Sequence, residues 1–202
     1  VERDLKRLIA YSSVAHMGFV VLGLASGSDT GLQAALFANV AHGVVSALLF
    51  VLVGGLKQRW GSVDLTVPRP ALRETSPRLG FVLVLGLAAS LGLPGLAGFW
   101  GEFLAVYSAF APAADRPHAL LVACGVLAAV GAALAAAYAL RVARVVWVGD
   151  RPDPASSPTA DTRGVERAVL GVLATAAVVL GVLPMTVLSV TADAVARLGG
   201  AR

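Results

Sequence analysis

Three side chains in this 202-residue chain combine proton chemistry with burial in apolar sequence: His16, His42 and Glu102. An imidazole gains and loses a proton near neutral pH, and imidazoles and carboxylates pass protons through intervening water. Glu102 falls in the stretch Leu91-Gly92-Leu93-Pro94-Gly95-Leu96-Ala97-Gly98-Phe99-Trp100-Gly101-Glu102-Phe103, which sets one proline and four glycines inside an apolar segment long enough to cross a membrane. In a soluble helix Pro94 would cost about 3 kcal/mol, and in lipid the freed backbone groups have no water to bond. A break there, marked by Gly92, Pro94 and Gly95, is expected to be sheltered by neighbouring helices and to serve a purpose. Discontinuous membrane helices set unwound backbone beside ion or substrate paths, and an ionisable residue at that depth is a functional candidate by default. Glu102 reads as the only acidic residue inside an apolar span.

Depth along the helices strengthens the grouping. His16 lies nine residues into one apolar span and His42 ten residues into the returning one, so each should sit about 14–15 Å from its starting interface, near mid-membrane. Glu102 precedes Phe110 by eight residues, about 12 Å from the opposite face. The expected path runs from mid-membrane histidines to an outward carboxylate. One membrane histidine by itself could equally bond a neighbouring helix; two at one level near a carboxylate on a broken helix favour a proton pathway. Ser12, Ser13, Asn39 and Ser46 read as helix-to-helix hydrogen bonds or water ligands in support. Lys6 and Arg7 read as topology determinants, with a role at the proton entrance as the second reading. His118 is expected at an interface, Arg141 and Arg144 to snorkel to the membrane surface, and Cys124 to serve packing. No metal-ligand spacing, phosphate loop or nucleophile arrangement is visible, so neither metal nor cofactor is expected.

The elements that position these residues follow from composition. With 57% hydrophobic and 14% charged residues and a mean hydropathy of +0.81, the chain reads as an all-α polytopic membrane protein and not as a soluble domain. Its length allows about five spans. They are expected at about residues 8–27, 32–56, 78–110 (broken near 92–95), 118–148 and 165–183, with a short terminal helix at 185–198, all in one membrane domain over 1–202. Ser76-Pro77 reads as a helix start, serine as cap and proline at the first position. Residues 61–76 and 149–163 read as loops, the second flexible. All sixteen Lys and Arg residues except Arg116, Arg197 and Arg202 fall at one side of these spans. By the positive-inside rule the N-terminal end is cytoplasmic and the C-terminus outside. The net charge of +4 therefore reports topology and does not suggest a nucleic-acid partner. The opening Val1-Glu2-Arg3-Asp4 reads as the inside of a longer protein.

Asp4-Leu5-Lys6-Arg7-Leu8-Ile9-Ala10-Tyr11-Ser12-Ser13-Val14-Ala15-His16-Met17-Gly18-Phe19, then Ala41-His42-Gly43 with Leu49-Phe50, then Leu91 to Phe103, resemble the antiporter-like membrane subunits of respiratory complex I, in that family's order. A glutamate at the Glu102 position looks like the NuoM type, where the NuoL and NuoN types are expected to carry lysine. The resemblance implies five spans, one discontinuous, from the second inverted repeat of an antiporter-like fold plus its last helix. It matches His16 and His42 to histidines of a central hydrophilic axis, and Glu102 to the end of an outward half-channel. It also implies a bacterial inner-membrane subunit of NADH-quinone oxidoreductase, working beside NuoL-like and NuoN-like subunits in the lipid bilayer. Redox chemistry would lie in other subunits, leaving this chain without flavin, iron–sulfur cluster or quinone, and inactive by itself. Mrp-type cation/proton antiporters and membrane-bound hydrogenases share the scaffold and give the alternative reading. A helix bundle whose polar residues serve only packing is a third, and it explains poorly the break beside Glu102.

Overall fold

The apolar runs fold as helices joined by short capped turns. The computed structural model describes residues 2–150, 161–162 and 164–199. Helix α1 (Leu5–Ser26) starts where the Asp4 carboxylate accepts a bond from the Arg7 amide at 3.0 Å. It stops at Gly27, whose φ of +66° lies in the left-handed region that glycine enters without a Cβ penalty. Ser28 then opens α2 (Asp29–Trp60), its hydroxyl accepting from the Gly31 amide at 3.2 Å. The tight turn makes α1 and α2 an antiparallel pair.

A single turn, α3 (Leu72–Thr75), interrupts the segment read as a loop, and α4 (Pro77–Ser90) and α5 (Gly98–Phe110) are the halves of the broken span. Helix α6 (His118–Val142) runs on through a π-helical turn, Ala143–Val148, which sets the Trp147 ring against Gly80 of α4. Helices α7 (Gly164–Val182) and α8 (Met185–Gly199) complete the described chain. Among the described residues four helices, α1, α2, extended α6 and α7, are long and apolar enough to cross a membrane, and α4 is a shorter apolar helix. The chain is thus an all-α, multi-pass membrane protein. Among the described residues there is no strand, and two isolated bridges, Asp4 with Asp64 and Pro70 with Asp150, tie loops to helix ends. In the first loop, bonds from the Thr66 hydroxyl and amide hold the Asp64 carboxyl below the usual range.

Helix α2 is the axis of the bundle, packed against α1, α4, α5, α7 and α8. Its Leu48, Leu52 and Leu56 are fully buried against Leu5 and Ile9 of α1, Leu79 and Leu83 of α4, Val142 of α6 and Leu170 of α7. The outer face of α6, by contrast, leaves Leu120, Leu127, Val130, Leu134 and Leu140 exposed, as lipid or a neighbouring helix requires. Cys124 is on that exposed face and does not pack in the core as expected, because only Leu121 and Gly125 in this part of α6 turn inward.

One cap differs from the sequence expectation. Pro77 occupies the first position of α4, yet the Ser76 side chain makes no capping bond. Asp161, 83 residues downstream of Arg78, supplies the acceptor instead, taking the Arg78 and Leu79 amides at 3.3 and 3.2 Å. Asp161→Ala should therefore destabilise the protein by about 1 kcal/mol, the usual worth of a capping side chain, and Asp161→Asn by less. Calorimetric melting of the full-length protein checks this; an unchanged midpoint for the alanine variant would remove the cap from the account. The remainder of the loop read as flexible lies mostly outside the described residues.

Candidate functional site

Seven residues, Leu91 to Ala97, separate α4 from α5. Pro94 has no N–H and its ring excludes a continuous helix. Four amides of the break find partners in the last turn of α4 or in the break itself: Leu91 donates to Leu87 O, Gly92 to Ala89 O, Leu93 to Ala88 O and Leu96 to Leu93 O, at 3.0–3.3 Å. Gly92 takes a φ of +63°. Glu102 stands in the second turn of α5, and because helical side chains lean toward the N-terminus it reaches back over the break. A Cβ on Gly92 would lie 2.6 Å from Glu102 Oε2, so the bare glycine forms the seat of the carboxylate.

Across that seat lies α1. His16 Nδ1 meets Glu102 Oε1 at 2.9 Å, with the two side chains 16% and 15% exposed. With the carboxylate ionised, Nδ1–H is the donor, and the contact is short enough for a proton to pass along it. The His16 and His42 ring centroids are 5.7 Å apart, tilted by 43°. His42 Nε2 lies 3.0 Å from the Ser46 hydroxyl one turn along α2, and Ser46 lies 3.5 Å from the Ser13 hydroxyl of α1. Ser13 in turn donates to Ile9 O at 3.2 Å. The result is a row across three helices: Glu102, His16, His42, Ser46, Ser13. A cavity of about 30 Å³ lies between His16, His42, Glu102 and Ser90, enough for a water molecule or two.

Ser12 is buried, donates to Ile9 O at 2.8 Å and lines cavities between α1 and α6. Lys6 and Asn39 are exposed and stand outside the row. Arg141 is half-buried and does more than snorkel, donating to the Glu2 carbonyl at 3.1 Å. His118 is exposed at the start of α6. Among the described residues no three metal-ligating side chains converge. Sequence reasoning missed Glu166, so Glu102 is not the only acidic residue in an apolar span: in the first turn of α7 Glu166 takes two bonds from Arg59, at 2.8 and 2.7 Å. It missed Tyr138 as well, the one hydroxyl-bearing residue on α6.

A family model described as "NADH:quinone oxidoreductase/Mrp antiporter, TM" matches residues 1–132, which hold His16, His42 and Glu102. NADH-quinone oxidoreductase subunit M of Pseudomonas aeruginosa is 36% identical over 191 residues, 95% of this chain and 35% of that protein. Subunit M of Rhodobacter capsulatus is 33% identical over 197 residues, 98% of this chain and 37% of that one. The chain thus spans little more than a third of these relatives. Respiratory complex I from Thermus thermophilus contains a chain 29% identical to it, with a TM-score of 0.77 over 98% of this chain and 40% of that chain. The Mrp complex from Dietzia sp. DQ12-45-1b contains one 20% identical with a TM-score of 0.84, covering 98% of this chain and 43% of that chain, a likeness of fold alone.

Proposed function

Because this chain belongs to the NADH:quinone oxidoreductase/Mrp antiporter transmembrane family, we propose that it is part of a NuoM-type proton-translocating subunit of NADH:quinone oxidoreductase, with His16, His42 and Glu102 as its proton pathway. The observation that carries this reading is the 2.9 Å contact between His16 and Glu102 at a helix break, with His42 5.7 Å away. A proton on the histidine row reaches Glu102 through the shared Nδ1–Oε1 contact, and the half-helix α5 leads from Glu102 to the far face. Ser46 holds the His42 ring, and Ser13 holds Ser46. In this reading the N-terminal end of α1 faces the cytoplasm of a bacterium, and NuoL-like and NuoN-like subunits flank the chain. Other subunits hold the redox cofactors; this chain works with none of its own.

The test is Glu102→Gln in the full-length subunit, with proton translocation and electron transfer from NADH to quinone measured in the same membranes. The expected result is an assembled complex that has lost proton translocation. Normal translocation by an assembled complex would end the role given to Glu102. The family description, which takes in Mrp antiporters, supports a second reading, a cation/proton antiporter component. It predicts that Glu102→Gln abolishes sodium–proton exchange in membranes given no NADH.

A further inference from the structure

Among the described residues, three buried side-chain polar atoms have no hydrogen-bond partner, and two of them, His16 Nε2 and Tyr138 Oη, belong to residues lining one cavity. A buried polar atom left unpaired costs about 1–3 kcal/mol, so native structures satisfy such atoms with protein or with ordered water. The cavity, about 140 Å³ between α1, α5 and α6, also carries Ser12, Ser90 and Glu102 on its walls. Its walls are mainly apolar, the polar groups being those of His16, Tyr138, Ser12, Ser90 and Glu102, and its volume is enough for several waters. Nothing in the packing of α6 calls for a hydroxyl here, since Gly131 to Ala137 are glycine, alanine and leucine only.

Resting on the reading of His16 and Glu102 as a proton pathway, we propose that Tyr138 is a further residue of that pathway, joined to His16 Nε2 by water in this chamber. His16 then stands between two wet or polar neighbours, the chamber at Nε2 and the carboxylate at Nδ1. A proton arriving at Nε2 makes the imidazolium, and departure of the Nδ1 proton to Glu102 restores the neutral ring. Tyr138 serves the chamber as a hydroxyl does in a water chain: it accepts a proton on oxygen as its own O–H proton leaves for the next water. Ser12 and Tyr138 also line a wider groove of about 560 Å³, where Leu8 and Tyr11 lead to Arg141 and Glu2. The chamber therefore adjoins a groove that runs toward the N-terminal end of α1.

The experiment is Tyr138→Phe in the full-length subunit of the assembled complex, beside Glu102→Gln. Phenylalanine keeps the ring that packs and removes only the hydroxyl. Proton translocation per electron pair should fall several-fold, and its dependence on pH should change, a shift that lost packing would not produce. Wild-type translocation and pH profile in Tyr138→Phe, with translocation lost in Glu102→Gln, would overturn the role of Tyr138 and leave the pathway through Glu102 standing. Normal translocation in both variants would overturn both. If Tyr138→Phe fails to assemble, a high-resolution map of the unaltered complex decides. Water density linking His16 Nε2 and Tyr138 Oη by steps of about 3 Å upholds the proposal, and a dry chamber overturns it.

Discussion

Arg59→Ala is expected to destabilise the protein by about 3 kcal/mol, toward the low end for breaking a buried ion pair because both side chains keep some exposure. Arg59 in the last turn of α2 reaches across to the first turn of α7, giving Glu166 two parallel bonds at 2.8 and 2.7 Å and Gly55 O a third at 3.0 Å. The side chains are 15% and 24% exposed. Removing the guanidinium leaves a carboxylate with its paired bonds unmet between apolar helices. Most of the loss should come from that orphan and not from the missing attraction, so Arg59→Ala combined with Glu166→Ala should be more stable than Arg59→Ala by itself. Arg59→Lys should recover little, since an ammonium cannot make the paired fork. Thermal melting of the full-length protein and its double-mutant cycle measure this. If Arg59→Ala melts with the wild type, the pair is ornamental.

Gly92→Ala should abolish proton translocation nearly as fully as Glu102→Gln, although it leaves every titratable group in place. The new methyl group meets two obstacles. At a φ of +63° an L side chain costs about 1–2 kcal/mol. Its Cβ would also stand 2.6 Å from Glu102 Oε2. The neighbour that must give is the free end of a flexible side chain, so the carboxylate swings aside and the bundle survives. With it goes the 2.9 Å contact to His16. Assembly should be close to normal while translocation fails. Wild-type translocation would show that the carboxylate needs no seat at Gly92.

The helices and the break are legible in the sequence because each depends on local signals: uninterrupted apolar runs, Pro94 among glycines, and Gly27-Ser28 between two spans. Counting residues inward puts His16 and His42 at one level and Glu102 further outward, since depth follows helix rise. Counting gives no rotation about the helix axis, so it does not foretell that His16 turns its Nδ1 onto Glu102 or that Asn39 turns outward. The same gap hides Tyr138, which reads as an ordinary aromatic until its hydroxyl is found without a partner. Pairings of distant residues are invisible for a plainer reason. Arg59 and Glu166 are 107 positions apart, and Asp161 caps a helix whose own Ser76 has the right chemistry for the task. Ser76 follows the rule for a cap; Asp161 wins because the tertiary fold brings an ionised acceptor to the same amides.

The 5.7 Å between the His16 and His42 rings also sets how many charges the row can carry. Two positive charges at that separation repel by about 3 kcal/mol at an effective dielectric near 20, a factor of roughly a hundred in occupancy. The two rings therefore count to one. In the proposed pathway a second proton enters the row only as the first moves on to Glu102, so the pair would work as a single-place register whose reset is that transfer.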